Sequence, residues 1–504
     1  MSEKKTKEKT TNLDYKSFSA ITEIEEKYPV YDLEFKDGTK IWNPLRIYLY
    51  FYILEAELRN KDIFYKKIFN MLLEGIKPIH IPKKHYTICA FSSGRNRRLR
   101  ENHYYDIMMD PINEAIDKPM LICEWPGPNG KHRIYDKPLF SKDMTKIQLS
   151  IYQKAFWKLL FQRIAPNINP TQSSKELFYN ILTHYATKTS SDVNQLITDV
   201  EKYIAILPTM KQFFNTFLQQ ITPSIVLLVG GHSGFNMALI QACKEQQIPT
   251  VELQHGLITR YHAAYIKQKK TSNYDYRPDY LFTYGDYFTN LIQQNHAFPA
   301  KNVITVGYPY LNKMKKKPPI IPQPIHNHIK AYEKNILITS QWNIAEEVLL
   351  FVKRVSSLLQ KSNNQIGIIF KPHPSDWREY NSIINQDNIC IARKYDDVYE
   401  LFKVSDVHST VYSTSALEAL SFSMPNLFID VGKRSVSDIF DIVDNKSSFI
   451  VNDTNEYLLI LDKIFKNYKK ISEKASQKAI CYFQPNPEQF LPHLISNILK
   501  KNKK

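Results

Sequence analysis

Ser224-Ile225-Val226-Leu227-Leu228-Val229-Gly230-Gly231-His232-Ser233-Gly234 runs from an apolar stretch straight into a glycine-rich turn. Phe235 to Gln246 then has helical character. Pro249 to Leu253 is a second apolar run, ending in Gln254-His255-Gly256. Buried strand, turn, helix and buried strand make the crossover unit from which parallel sheets are built. In such sheets ligands bind beyond the carboxyl ends of the strands. The turn at Gly230–Gly234 and the one at Gln254–Gly256 are therefore the first places to look for chemistry.

Working outward, the alternation continues on both sides. Downstream, Tyr280 to Tyr284, a helix from about Tyr287, and Val303 to Val306 repeat the pattern. Upstream, a strand over Tyr86 to Phe91 runs into Ser92-Ser93-Gly94-Arg95-Asn96-Arg97-Arg98, and another over Met120 to Cys123 ends at Glu124. Lys142 to Leu218 reads as mostly helical. Within it, Ile151 to Ile164 sets Phe156, Leu159, Leu160 and Ile164 apart from its lysines, a pattern for a core-facing or membrane-surface helix. Residues 312–333 are rich in lysine and proline and read as a linker, because proline cannot continue a helix or a central strand. Beyond it come a strand over Asn335 to Thr339, a helix over Glu346 to Leu359, a strand over Ile366 to Phe370 and a strand over Asn426 to Ile429.

The expected architecture is α/β: two Rossmann-like domains facing a central cleft, with helical N-terminal additions. Residues 1–14 form a disordered tail, 15–311 the first domain, 312–333 the linker, and 334–504 the second domain with a terminal helix.

The chain has 504 residues, 43% of them hydrophobic, enough for large cores. Its formal charge of +17 calls for anionic partners. No zinc-finger spacing, RNP block or single basic stripe accompanies that charge, so nucleic acid is not the expected partner. An anionic membrane surface or a phosphorylated substrate is. The five cysteines are scattered, as fits reduced thiols in a cytoplasm. No signal-like or membrane-spanning run is visible.

Several residues could carry chemistry. In Lys371-Pro372-His373-Pro374 the prolines stiffen a strand end. There His373 can donate to a phosphate oxygen and Lys371 can supply positive field. Ser413, Thr414 and Ser415 precede Ala416-Leu417-Glu418, where Ser415 and Glu418 stand at capping-box spacing. A helix start with three hydroxyls suits an anion. Glu418 is either the capping partner or a ligand for ribose hydroxyls. His255, held at a turn by Gly256, suits a general base for an acceptor hydroxyl. Gly231, His232 and Gln254 belong to the same edge, and Arg95 to a turn that could hold phosphate. Asp106, Asp110 and Glu124 are alternative bases. No metal or cofactor pattern stands out.

Together Gln254-His255-Gly256, Lys371-Pro372-His373-Pro374 and the Ser/Thr turn resemble bacterial GT-B glycosyltransferases of surface polysaccharide synthesis: capsule and lipopolysaccharide Kdo transferases, sialyltransferases, and the CDP-glycerol glycerophosphotransferases of teichoic acid. The resemblance covers roughly residues 220–430. It implies that His373, Pro374, Ser413, Thr414 and Ser415 contact the nucleotide and phosphate of a cytidine-linked donor. The sialyltransferase acid-plus-glycine motif has no counterpart here, since the matching strand end is Gln254-His255-Gly256, so the base stays open. The expected activity is metal-independent transfer of a sugar, from a CMP-sugar for preference, to a glycan or lipid-linked acceptor at the inner membrane face. A CDP-glycerol-type transferase and a UDP-sugar epimerase or hydrolase are the alternatives.

Overall fold

The computed structural model describes residues 13–54, 69–70, 73, 79–127, 130–147, 168, 171–341, 344–362, 365–374, 376, 378, 380, 386–393, 396–431 and 442–501. Residues 1–12 of the expected tail 1–14 and the amphipathic stretch 151–164 lie outside them, while Leu13 and Asp14, expected in that tail, are helical. The chain divides into two units. The first comprises Leu13–Pro309 with Asn486–Lys504, and the second Tyr310–Pro485.

In the first unit, α1 (Leu13–Lys27) and α2 (Trp42–Leu54) precede the sheet. The sheet strands are β1 (Ile88–Ser93), β4 (Met120–Trp125), β5 (Met144–Lys146), β6 (Ile225–Val229), β7 (Thr250–Leu253), β8 (Tyr280–Thr283) and β9 (Val303–Thr305). All pair in parallel, in the order β5-β4-β1-β6-β7-β8-β9. A small antiparallel hairpin of β2 (Arg97–Arg100) and β3 (His103–Asp106) leaves the end of β1, and α3 (Asp110–Ala115) follows it. The order of connection reverses between β1 and β6, so the crevice rule points to the ends of those two strands.

Two long helices, α4 (Gln172–Thr189) and α5 (Val193–Ile221), lead into β6. Along α5 the buried residues Leu196, Val200, Ile204, Leu207, Met210, Phe214, Phe217 and Ile221 recur at steps of three and four, which gives one apolar stripe. From Met210 to Ile221 that stripe joins a core with Phe91, Cys123, Leu228 and the buried face of α6 (Gly234–Glu245). The unit also holds α7 (Asp286–Gln293).

The second unit opens with α8 (Pro309–Lys316) and α9 (Gln323–Ala331). The stretch read as a linker is thus mostly helical. Pro318 and Pro319 do interrupt it, just past the end of α8, whereas Pro322 caps α9 and Pro324 lies in its first turn, where the missing N–H costs nothing. Six parallel strands follow: β10 (Lys334–Thr339), β11 (Ile366–Lys371), β12 (Ile389–Ile391), β13 (Val407–Thr410), β14 (Asn426–Ile429) and β15 (Ser448–Val451). Their order is β12-β11-β10-β13-β14-β15, a doubly wound sheet whose reversal lies between β10 and β13. Helices α10 (Ala345–Lys361), α11 (Val398–Phe402), α12 (Ser415–Ser421), α13 (Thr454–Lys466) and α14 (Tyr468–Tyr482) surround it. Two Rossmann-like units are therefore present, as expected. The terminal helix α15 (Pro487–Lys501), however, belongs to the first unit, where it meets α3 and buries Leu491.

Arg46 on α2 has no exposed surface. Its Nε donates to Glu25 of α1 at 2.8 Å, and its Nη groups donate to the carbonyl oxygens of Ala263 and Ile266. Trp42 donates to the same Glu25 oxygen at 2.9 Å. Arg46→Met leaves Glu25 charged and buried without its cation. We expect a loss of about 3–5 kcal/mol, read as a lower urea midpoint with an unchanged slope.

Candidate functional site

Each unit carries a polar group at the carboxyl edge of its sheet. In the first, the glycine turn after β6 reverses sharply, with Gly230 at φ 72°. Asn236 donates to the carbonyls of Val229 and Gly230 at 2.8 and 3.0 Å, and Ser233 caps α6. Beneath the turn lies the carboxylate of Glu252, near the end of β7. Its Oε1 accepts from the Gly231 N–H at 2.8 Å and from the Tyr265 hydroxyl at 2.6 Å. A Cβ on Gly231 would stand 2.5 Å from Glu252 Oε2 and would force that buried carboxylate to move. Burial raises the Glu252 carboxyl above its usual range, against the pull of those two donors.

Three imidazoles gather above this floor. His232 stacks on His255, with ring centres 5.6 Å apart, and meets His262 edge-on at 5.5 Å. Phe51 of α2 stacks on the other side of His232 at 5.3 Å. The Tyr265 hydroxyl is 3.4 Å from His232 Nδ1. Burial pushes all three histidines below their ordinary value, and mutual repulsion adds to the effect on His232 and His262. His255 keeps an exposed edge, and water there relieves part of the push. At neutral pH His255 is an uncharged imidazole at a solvent-facing strand end, which a proton acceptor requires. A negative group brought beside it would raise its basicity toward the working pH.

The other expected residues fall differently. Gln254 is buried. Its amide donates to the Gly256 carbonyl at 2.8 Å and accepts from the Tyr284 N–H at 2.8 Å, so it braces the turn rather than facing a ligand. Arg95 is exposed just past β1, at the strand reversal. Arg97, read with Arg95 and Arg98 as a phosphate grip, instead lies fully buried between Asp106, Asp110 and Glu124 at 3.8, 3.6 and 3.5 Å. Those carboxylates are themselves at most 1% exposed. Asp106 accepts from the N–H groups of Met108 and Met109, and Glu124 from the Tyr135 hydroxyl at 2.6 Å. Burial lifts Asp110 to about 6. Burial also penalises Glu124, but nearby His132, the bond from Tyr135 and the charge of Arg97 outweigh it and hold it low. Enclosed this way, the three acids hold the hairpin to the sheet and are poorly placed to reach an acceptor.

In the second unit, Lys371 ends β11 and is buried, its Nζ donating to the Pro372 carbonyl at 3.0 Å. His373 is half-buried and Pro374 exposed just beyond. Ser413 is half-buried and Thr414 exposed past the end of β13. The two turns flank β10: Ser340 N–H donates to Lys371 O at 3.0 Å, and Thr410 Oγ1 donates to Thr339 O at 3.0 Å. With strands spaced at about 4.8 Å, β11 and β13 lie roughly 10 Å apart. They share one edge and bracket it from either side.

Ser415 points inward, 7% exposed. Its hydroxyl lies 2.8 Å from Ser413 Oγ and 3.0 Å from Thr339 Oγ1. Thr339 in turn reaches His408 Nε2 at 2.9 Å, and His408 Nδ1 donates to Asn426 Oδ1 at 2.7 Å. Sequence reasoning missed His408, because one histidine within a polar strand gives no pattern. The capping box does not form. Thr414 is the N-cap of α12, without a side-chain cap among the described residues, and Glu418 accepts from the Tyr399 hydroxyl at 2.8 Å.

Residues 232–431 match the family model described as CDP-glycerol:poly(glycerophosphate) glycerophosphotransferase. No curated protein matches the chain. Among solved structures, a UDP-N-acetylglucosamine 2-epimerase described as putative, from Listeria monocytogenes, aligns at TM-score 0.52 and 12% identity, over 83% of this chain and 98% of its own. MnaA of S. aureus with UDP aligns at 0.48 and 15%, over 82% and 95%. The wall teichoic acid polymerase TagF aligns at 0.45 and 12%, over 92% and 99%. The two-unit parallel architecture and the family match make this chain an enzyme of the nucleotide-activated glycosyl- or phosphotransferase kind.

Burial lowers His408 to about 4, from an ordinary 6.5. Between those values the unfolded chain binds a proton that the native imidazole refuses, so stability falls as pH drops through that window. The loss is on the order of 3 kcal/mol. His408→Gln should reduce proton uptake on unfolding at pH 5 by about one, measured from the pH dependence of urea unfolding.

Proposed function

We propose that this enzyme moves a glycerophosphate-type group from a CDP-linked donor onto a hydroxyl of a polyol-phosphate or related surface-polymer acceptor. One observation carries the reading: the family match spans His232, His255, His373 and Ser413–Ser415 together. It favours the CDP-glycerol alternative over the CMP-sugar donor first preferred for capsule or lipopolysaccharide.

The donor diphosphate would lie on the edge of the second unit. There His373 and the hydroxyls of Ser413 and Thr414 would donate to its oxygens, and Ser415 would hold Ser413 in place from below. Lys371 contributes field, not contact. The acceptor would be received in the first unit around Gly231, His232 and Arg95. His255 would take the proton as the acceptor oxygen bonds to the donor's outer phosphorus. The bond from that phosphorus to the bridging oxygen breaks, and CMP leaves with the electron pair. Stabilising the charge that builds on the leaving phosphate is most of the catalytic task in such a transfer. The enzyme would work in the cytoplasm, on the inner face of an anionic membrane.

Calorimetry and CMP release test this. CDP-glycerol should bind, and CMP- and UDP-sugars should bind more weakly. His255→Ala should cut CMP release about 10²–10⁴-fold with donor affinity retained, whereas His373→Ala should weaken donor binding itself. Turnover within two-fold of the parent in His255→Ala, or consumption of a UDP-sugar without any acceptor, would overturn the reading.

A further inference from the structure

The hairpin β2–β3 carries a surface that the transfer chemistry does not use. Leu99 stands opposite Tyr104 in register and is 53% exposed. Ile134 is 91% exposed. It sits between Arg133 and Tyr135, both anchored on Tyr104: the Arg133 guanidinium lies 4.6 Å from the Tyr104 ring centre, and the Tyr135 ring 4.9 Å away. Phe140, whose N–H donates to the Tyr104 carbonyl at 3.0 Å, leans on Tyr105 and stays 42% exposed. Leu99 and Ile134 thus reach water on two segments that meet at Tyr104, and Phe140 reaches it beside Tyr105.

Cations stand on the same two segments. Arg98, Arg100, Lys131, Arg133 and Lys137 lie on the same hairpin and the adjoining 131–140 segment, against Glu101 and Asp136. Asp136 is already bonded to the Tyr104 hydroxyl at 2.7 Å. The arginines are held in place: Arg98 donates to the carbonyls of Arg95 and Arg97, and Arg133 to those of Gly94 and Arg97. Bare aliphatic tips do not suit a polyanionic chain in water. Lys131 and Lys137 do not suit the core of a protein–protein contact, which is poor in lysine. Aliphatic tips on segments rich in cations match a bilayer surface, where apolar groups enter below the headgroups and cations meet anionic lipid.

We propose that the β2–β3 hairpin with residues 131–140 is the face by which this protein sits on an anionic lipid bilayer. The proposal rests on the reading above only in expecting the acceptor to be membrane-associated. Its test needs no turnover, so the two can fail separately.

Flotation with phosphatidylcholine vesicles, with and without phosphatidylglycerol, measures it. The parent should float with the anionic vesicles and not with the neutral ones, and salt should weaken the binding. Leu99→Asn with Ile134→Asn should weaken it at least about ten-fold. Lys131→Gln and Lys137→Gln should each weaken it about five-fold. All four sites are exposed, so thermal melting should be unchanged. Undiminished flotation of the double asparagine variant would overturn the proposal. So would a change in sedimentation of that variant without any change in flotation, which would make the face a contact between copies of the chain.

Discussion

One guanidinium joins the outer helices of the first unit to the loop that matters. Arg46 neutralises Glu25 on α1 and holds the carbonyls of Ala263 and Ile266. Between and beside those carbonyls stand His262 and Tyr265, which contact His232. Nearby Arg277 donates to the Ala264 carbonyl. Burying such charge is costly unless every partner is in place, so the 263–266 segment has little freedom. The helices before the sheet are therefore part of the site's support, and the imidazole cluster inherits their rigidity.

The same logic of enclosed polarity recurs at the second edge. His408, Thr339, Ser415 and Asn426 form a buried chain of hydrogen bonds under the Ser413 turn. A fully satisfied network of this kind fixes one geometry. Ser413, left at the surface, is held from below by the buried Ser415. In both units a mobile-looking turn rests on an unyielding polar floor.

How much of this was legible follows from the same physics. Parallel strands buried on both faces write near-continuous apolar runs, so β6, β7, β10 and β11 could be read directly. The hairpin could not. Arg97-Arg98-Leu99-Arg100 looks like a solvated basic stretch, and only the fold reveals that Arg97 faces inward onto three acids. In residues 312–333 Pro318 and Pro319 do mark a break, but Pro322 and Pro324 stand at a helix start, a difference of a few positions that composition does not show. At the site, His232, His255 and His373 were visible as strand-end residues. The inward turn of Ser415, the bracing role of Gln254 and the presence of His408 depend on neighbours distant in sequence. No local spacing encodes them.

The return of α15 to the first unit has a consequence for biosynthesis. As the chain leaves the ribosome, the first sheet emerges complete by Thr305, and the second unit can then fold from contiguous chain. The surface that receives α15, around α3 and including Leu491's neighbours Met108 and Ile112, is filled only once the residues from Asn486 onward have emerged. The part made first is finished last, and until then its apolar seat is open to a chaperone.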